Sequence, residues 1–132
     1  MKRHKKENRK TIEKHCLDLW SMIIRARDRT CRNCGAETGL QAHHIRSRRH
    51  KSTYLLLRNG LCLCSRCHCL QRFNHEKFQD MIAEIIPSKE YAALKIMSLQ
   101  EFKPTVPWLI EQREYLRKQL KATQKDMTGG IL

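Results

Sequence analysis

The chain has 132 residues and carries 27 Lys and Arg against 13 Asp and Glu, a formal charge of +14 with a sequence pI near 9.9. That length gives one domain, or one small domain with helical flanks, whose core is small enough to gain from a staple such as a metal. The charge calls for a polyanionic partner, nucleic acid first; a membrane surface is the weaker reading, since no run reaches the ~20 apolar residues of a span and no lipidation signal is visible.

Residues 1–10 form a basic arm with six Lys or Arg and one Glu. Such a run adds phosphate attraction without reading sequence, or serves only as a solubility tail. No apolar signal-peptide core follows it, so the expected compartment is the cytoplasm. Thiols stay reduced there, and the seven cysteines then read as metal ligands and buried thiols rather than disulfides. From Thr11, a plausible N-cap, the pattern over 11–30 is helical: Ile12, Cys16, Leu19 and Ile23 make one stripe, widened by Leu17, Trp20 and Ile24. The helix should end near Arg27 or Asp28, with Trp20 and Cys16 in the core. Arg25, Arg27 and Arg29 are solvated or face nucleic acid.

Residues 31–73 hold the chemistry. Cys31-Arg32-Asn33-Cys34-Gly35 is a knuckle, a tight turn whose amides point at the thiolates and whose Gly35 takes a backbone conformation other residues resist. Residues 39–45 read as a strand containing His43 and His44, followed by a basic loop from Arg46 to Thr53 and then Asn59-Gly60. Leu61 to Leu63 read as a second strand, and Cys64-Ser65-Arg66-Cys67-His68 opens a helix running to about Arg72. Asn74 caps the next helix, with Phe78, Met81, Ile82 and Ile85 on one face and Pro87 closing it. Ser88 caps a shorter helix with Tyr91, Leu94 and Met97 inward. A last helix, from about Pro107 to Lys121, turns Trp108, Leu109, Leu116 and Leu120 inward and carries a Glu114–Lys118 pair. Residues 74–122 are thus a helical extension, and 123–132, with Gly129-Gly130, a frayed tail.

Two Cys-x-x-Cys pairs each bite one edge of a tetrahedron, so Cys31, Cys34, Cys64 and Cys67 form a structural Zn²⁺ site. The 29 residues between Cys34 and Cys64 suit a knuckle, hairpin and helix in treble-clef order. A redox role fits poorly, because the βαβ pattern of thioredoxin-like proteins is missing. Cys62 and Cys69 break the spacing and read as buried thiols. His43 and His44, adjacent on a strand, point to different faces. His68 lies about 100° around its helix from Cys67, so it looks away from the zinc toward the hairpin. A second metal between His43 and His68 is then geometrically reasonable, with open positions for phosphate and water. Arg66 and Arg72 on the helix, and Arg46, Arg48 and Arg49 on the loop, can grip phosphates.

The order Cys-x-x-Cys-Gly, His-His-Ile, then Asn-x-Leu-x-Leu-Cys-x-x-Cys-His resembles the HNH endonucleases, also called ββα-metal nucleases, over about residues 31–72, and the flanking helices look like those of small phage-type members. The resemblance implies an α+β treble-clef core stapled by a four-cysteine zinc, with one N-terminal helix and about three C-terminal ones. It implies that His43 and His68 hold a catalytic divalent metal (Mg²⁺, Mn²⁺, Ni²⁺ or Zn²⁺). His44 would be the general base, and Asn59 the residue that braces the loop, orients the base and in some members touches the metal. The activity implied is hydrolysis of DNA phosphodiesters, as nicks or double-strand cuts, by a monomer or weak dimer. Sequence preference would be weak, because arginines on phosphates position but do not specify. Here Arg72 fills the position where many members carry a further ligand, and His75 is the substitute in reach. A noncatalytic zinc-bound nucleic-acid-binding module is the alternative. So is a subunit active only with a protein partner, such as a phage packaging enzyme, docked on the C-terminal helices.

Overall fold

The computed structural model describes the backbone of residues 6–129 and the side chains of 6–126; Met1 to Lys5 of the basic arm and residues 130–132 of the tail lie outside the described residues. The described residues are α+β, five α-helices and one two-stranded antiparallel sheet. Helix α1 spans Arg9–Asp28. It starts before the expected Thr11 because Asn8 is the better cap: its side-chain oxygen accepts from the Thr11 amide at 2.9 Å and from the Thr11 hydroxyl at 3.0 Å. Arg29, at φ 66°, ends the helix in the left-handed region.

Strand β1 (Leu40–His44) pairs with β2 (Gly60–Cys64), with Leu40 opposite Cys64 and His44 opposite Gly60. The sheet separates two apolar clusters, and the period of 2 assigns its side chains between them. On one side Cys62 and the α1 stripe of Ile12, Cys16, Trp20, Ile23 and Ile24 pack with Tyr54 and Leu55. On the other, Leu61 and Leu63 pack with Cys31, Cys64, Cys67 and the apolar face of α3. Both faces of β2 are therefore covered, and each of its residues is buried.

Helix α2 (Ser65–Phe73) follows β2 without a loop, its first turn closed by the Cys64 thiol acting as cap. Helix α3 (His75–Ile85) begins at the expected cap, Asn74, whose side chain accepts from the Lys77 amide. Helix α4 (Ser88–Ser98) makes Ser88 its first residue rather than its cap; Pro87 is the cap and contributes no side-chain bond. Its inward residues are Leu94 and Ser98, with Tyr91 and Met97 half-buried.

Helix α5 spans Val106–Gly129, capped by the Thr105 hydroxyl, and runs through the segment expected to fray. No Gly or Pro interrupts it between Pro107 and Gly129, and Thr123 returns a hydroxyl bond to the Gln119 carbonyl. It lies along α1, inserting Leu109 and Leu116, with Trp108 and Leu120 partly buried beside them. Glu114 pairs with Arg117, three residues on, and not with Lys118. Among the described residues no helix is long and apolar enough to cross a membrane.

Candidate metal sites and active-site cleft

The four cysteines of the two Cys-x-x-Cys pairs come together. Their sulfur atoms all lie within 4.8 Å of one another, and Cys34 Sγ is 3.6 Å from Cys64 Sγ. Tetrahedral thiolates at a Zn–S distance of about 2.3 Å stand roughly 3.8 Å apart, so the donor set is positioned to bind a metal such as zinc. Both knuckles are built alike: the Cys34 amide points at Cys31 Sγ and the Cys67 amide at Cys64 Sγ, each at 3.5 Å. Gly35, at φ 78°, lets the first knuckle close, and its amide bonds the Cys31 carbonyl. Asn33 adds a side-chain bond to Cys67 Sγ at 3.3 Å. Burial opposes charge on Cys31, but the surrounding amides outweigh it and bring that thiol down to about 6, whereas burial and the neighbouring sulfurs push Cys67 up to about 12. Cys31 favours the thiolate while Cys67 resists ionising beside it; a cation removes that conflict. Of the two cysteines outside the set, Cys62 is buried as expected, while Cys69 is exposed on the outer face of α2.

The histidines form a second cluster on the sheet and α2. His43 and His44 take opposite faces of β1, as the strand period requires. His43 is buried, edge-on to the Phe78 ring, with Nδ1 3.2 Å from His68 Nε2. Two imidazole nitrogens at that separation subtend about 100° at a metal bound at about 2.1 Å, which suits adjacent ligands of one ion. Gln41, two residues before His43 and so on the same face, places its Oε1 2.5 Å from His68 Nδ1. An amide oxygen only accepts, so Nδ1 carries the proton and the Nε2 lone pair turns to His43. Burial, then the neighbouring His68 and His44, hold His43 down to about 4; burial and Arg72 lower His68.

His44 faces α1. Its ring stacks on Trp20 with centroids 3.9 Å apart and planes within 9°, and its Nε2 lies 3.0 Å from the Tyr54 carbonyl. The carbonyl can only accept, so the proton sits on Nε2 and Nδ1 is the basic atom. Burial keeps His44 below the ordinary histidine range, hence neutral at pH 7. All three histidines border one cleft of about 260 Å³, together with Arg48, Gln71 and Tyr91.

Asn59 is fully buried and its amide is committed: Oδ1 accepts from the Arg46 amide at 2.8 Å, and Nδ2 donates to the carbonyls of Arg46 and Thr53. It is therefore a positioning residue. It closes the 46–53 loop, which delivers the Tyr54 carbonyl to His44, and it touches neither His44 nor the paired histidine nitrogens. The arginines expected to grip phosphates divide into two groups. Arg48, Arg49, Arg66 and Arg72 are exposed around the cleft and α2. Arg46 is not available in the same way, because its guanidinium bonds Ser98 Oγ at 3.0 Å and the Tyr91 hydroxyl at 3.4 Å, tying the loop to α4. Arg27 is likewise structural, donating to the carbonyls of Leu57 and Gly60. His75 sits exposed at the start of α3 and does not border the cleft.

Sequence reasoning missed Gln41, which the period of 2 from His43 could have found, and the part of Trp20 as a stacking partner, which rests on tertiary packing alone. Comparisons with protein-family models, with curated proteins and with solved structures find no match for this chain.

Proposed function

We propose that this protein is a metal-dependent DNA endonuclease of the HNH type, with a treble-clef ββα-metal core held by zinc on Cys31, Cys34, Cys64 and Cys67. The observation that carries the reading is the cleft itself, where a neutral, tautomer-fixed His44 borders the same space as the converging nitrogens of His43 and His68. His43 and His68 would hold a divalent cation, whose positive charge would stabilise the phosphate and the leaving oxygen. His44 Nδ1 takes the proton of the attacking water as its oxygen bonds phosphorus. The P–O3′ bond breaks and the 3′ oxygen takes a proton from solvent, giving 5′-phosphate and 3′-hydroxyl ends. Trp20 and the Tyr54 carbonyl keep the imidazole in one orientation during the transfer, and Asn59 keeps that carbonyl in place. Arg48, at the cleft, and Arg49, Arg66 and Arg72 around it hold the backbone through phosphates, so sequence preference is weak. One site per chain nicks; a cut through both strands takes two chains or two events.

The test is supercoiled plasmid incubated with zinc-loaded protein and with His44→Ala, each with Mg²⁺, Mn²⁺, Ni²⁺ or no added ion. The wild type cuts only with added ion, and His44→Ala, equally folded, loses about a hundredfold or more of the rate. A wild type that binds the plasmid on a gel yet never cuts under any ion would replace this reading with a binding module.

A further inference from the structure

The loop that bounds the histidine cleft has a second side. Ser47 and Arg48 line the cleft, while the next residues, Arg49, His50 and Lys51, form one wall of a larger open groove of about 630 Å³. The opposite wall is the connection from α4 to α5, residues 98–103. The loop is anchored to that connection's base: Arg46 bonds Ser98 and the Ser52 hydroxyl donates to the Met97 carbonyl at 2.6 Å. Cleft and groove thus lie on either side of one anchored loop.

The groove mixes two kinds of surface. Arg49 and Lys103 are exposed cations on its two sides; Lys51 is partly compensated by Glu13 at 3.7 Å, and Glu101 is the acid among the lining residues. Between them stand Leu99 and Phe102, respectively 66% and 41% exposed. The Phe102 ring is steadied edge-on by Trp108, centroids 4.8 Å apart at 63°. Cations beside exposed, pre-positioned apolar side chains match a ligand that offers phosphates and flat faces together. Duplex DNA presents phosphates and sugars but keeps its base faces stacked; an unpaired strand presents both. We propose that this groove binds an unpaired nucleic-acid strand leaving the histidine cleft, its phosphates against Arg49 and Lys103 and a base against Phe102. The proposal rests on the nuclease reading for what occupies the cleft, and it adds a single-stranded arm to the substrate.

Fluorescence anisotropy of a labelled oligo-dT strand, and of a duplex of equal length, tests this in a His44→Ala background without added divalent ion, so that the probes stay intact. Arg49→Glu with Lys103→Glu, and separately Phe102→Ala, should each weaken oligo-dT binding by roughly tenfold or more and duplex binding far less. The charge reversals, which remove two phosphate contacts, should also flatten the salt dependence of log K by about 1.4. Lys118→Glu with Lys121→Glu on α5 makes the same change in net charge away from the groove and should leave most of the affinity; thermal melting checks that every variant is folded. Groove variants no weaker than the α5 control overturn the groove, and equal losses for strand and duplex overturn the assignment to unpaired nucleic acid. Plasmid cutting by the wild type is scored separately: a protein that cuts but does not use the groove loses only this proposal, and one that binds through the groove but never cuts loses only the nuclease reading.

Discussion

Two of the three imidazoles at the cleft have their proton assigned by a group that can only accept. For His44 that group is the Tyr54 carbonyl; for His68 it is Gln41 Oε1. The second contact leads to a prediction, because Gln41 is itself exposed and adds little to packing. Gln41→Leu removes the acceptor, so His68 is free to place its proton on either nitrogen and to rotate. Binding of Mn²⁺ or Ni²⁺ to zinc-loaded protein, followed by calorimetry, should weaken about tenfold or more, while the melting temperature hardly moves. Gln41→Glu keeps an acceptor at the same reach and should restore most of the affinity. Equal affinity in Gln41→Leu and wild type would mean that His68 does not need the partner.

At the scale of elements, the site is a meeting of β1, β2, α1 and α2, and the tightest point is Gly60. Its φ of −117° suits any residue, so conformational freedom is not the reason for glycine. A Cβ there would lie 2.4 Å from Ile24 Cδ1 and 2.7 Å from Trp20, the residue that stacks on His44, which sits opposite Gly60 in the sheet. Gly60→Ala therefore pushes α1 off the sheet and should cost about 1–3 kcal/mol in denaturant unfolding, with Trp20 fluorescence altered in the folded state. An unchanged midpoint and spectrum would show that α1 yields without loss. Much of the element plan is legible in the chain: the helical stripe of α1, the Asn74 cap and the two Cys-x-x-Cys pairs are local patterns, and all appear where expected. What is not legible is contact between distant segments. Nothing near Trp20 says that its ring will meet an imidazole 24 residues on, and nothing near Arg46 says that its guanidinium will be taken up by α4. The length of α5 was hidden for another reason: Gly129-Gly130 reads as a fraying signal, yet no Gly or Pro stands between Pro107 and Gly129 to stop the helix.

Across the whole molecule the two apolar clusters differ in what holds them. The α1–α5 cluster is built from large side chains, Trp20, Tyr54, Leu109 and Leu116 among them, and needs no cysteine pair to close. The other includes Cys31, Cys64 and Cys67, so its packing depends on clustered sulfur atoms of which Cys67 resists ionising beside Cys31 unless a cation is present. Stripping the metal from the four cysteines with a strong chelator should therefore act unevenly. Hydrogen exchange should show the knuckles, α2 and α3 losing protection by orders of magnitude, while α1 and α5 keep most of theirs and the helical circular dichroism falls only in part. His68 rides on α2 and His43 on β1, so the same treatment should separate the pair, and Mg²⁺ or Mn²⁺ added afterwards should not restore plasmid cutting until zinc is returned. Uniform loss of protection over all five helices would instead make the chain one cooperative unit with the metal at its centre. Full protection after chelation would mean that the four cysteines pack as a reduced cluster and that the ion is dispensable to the fold.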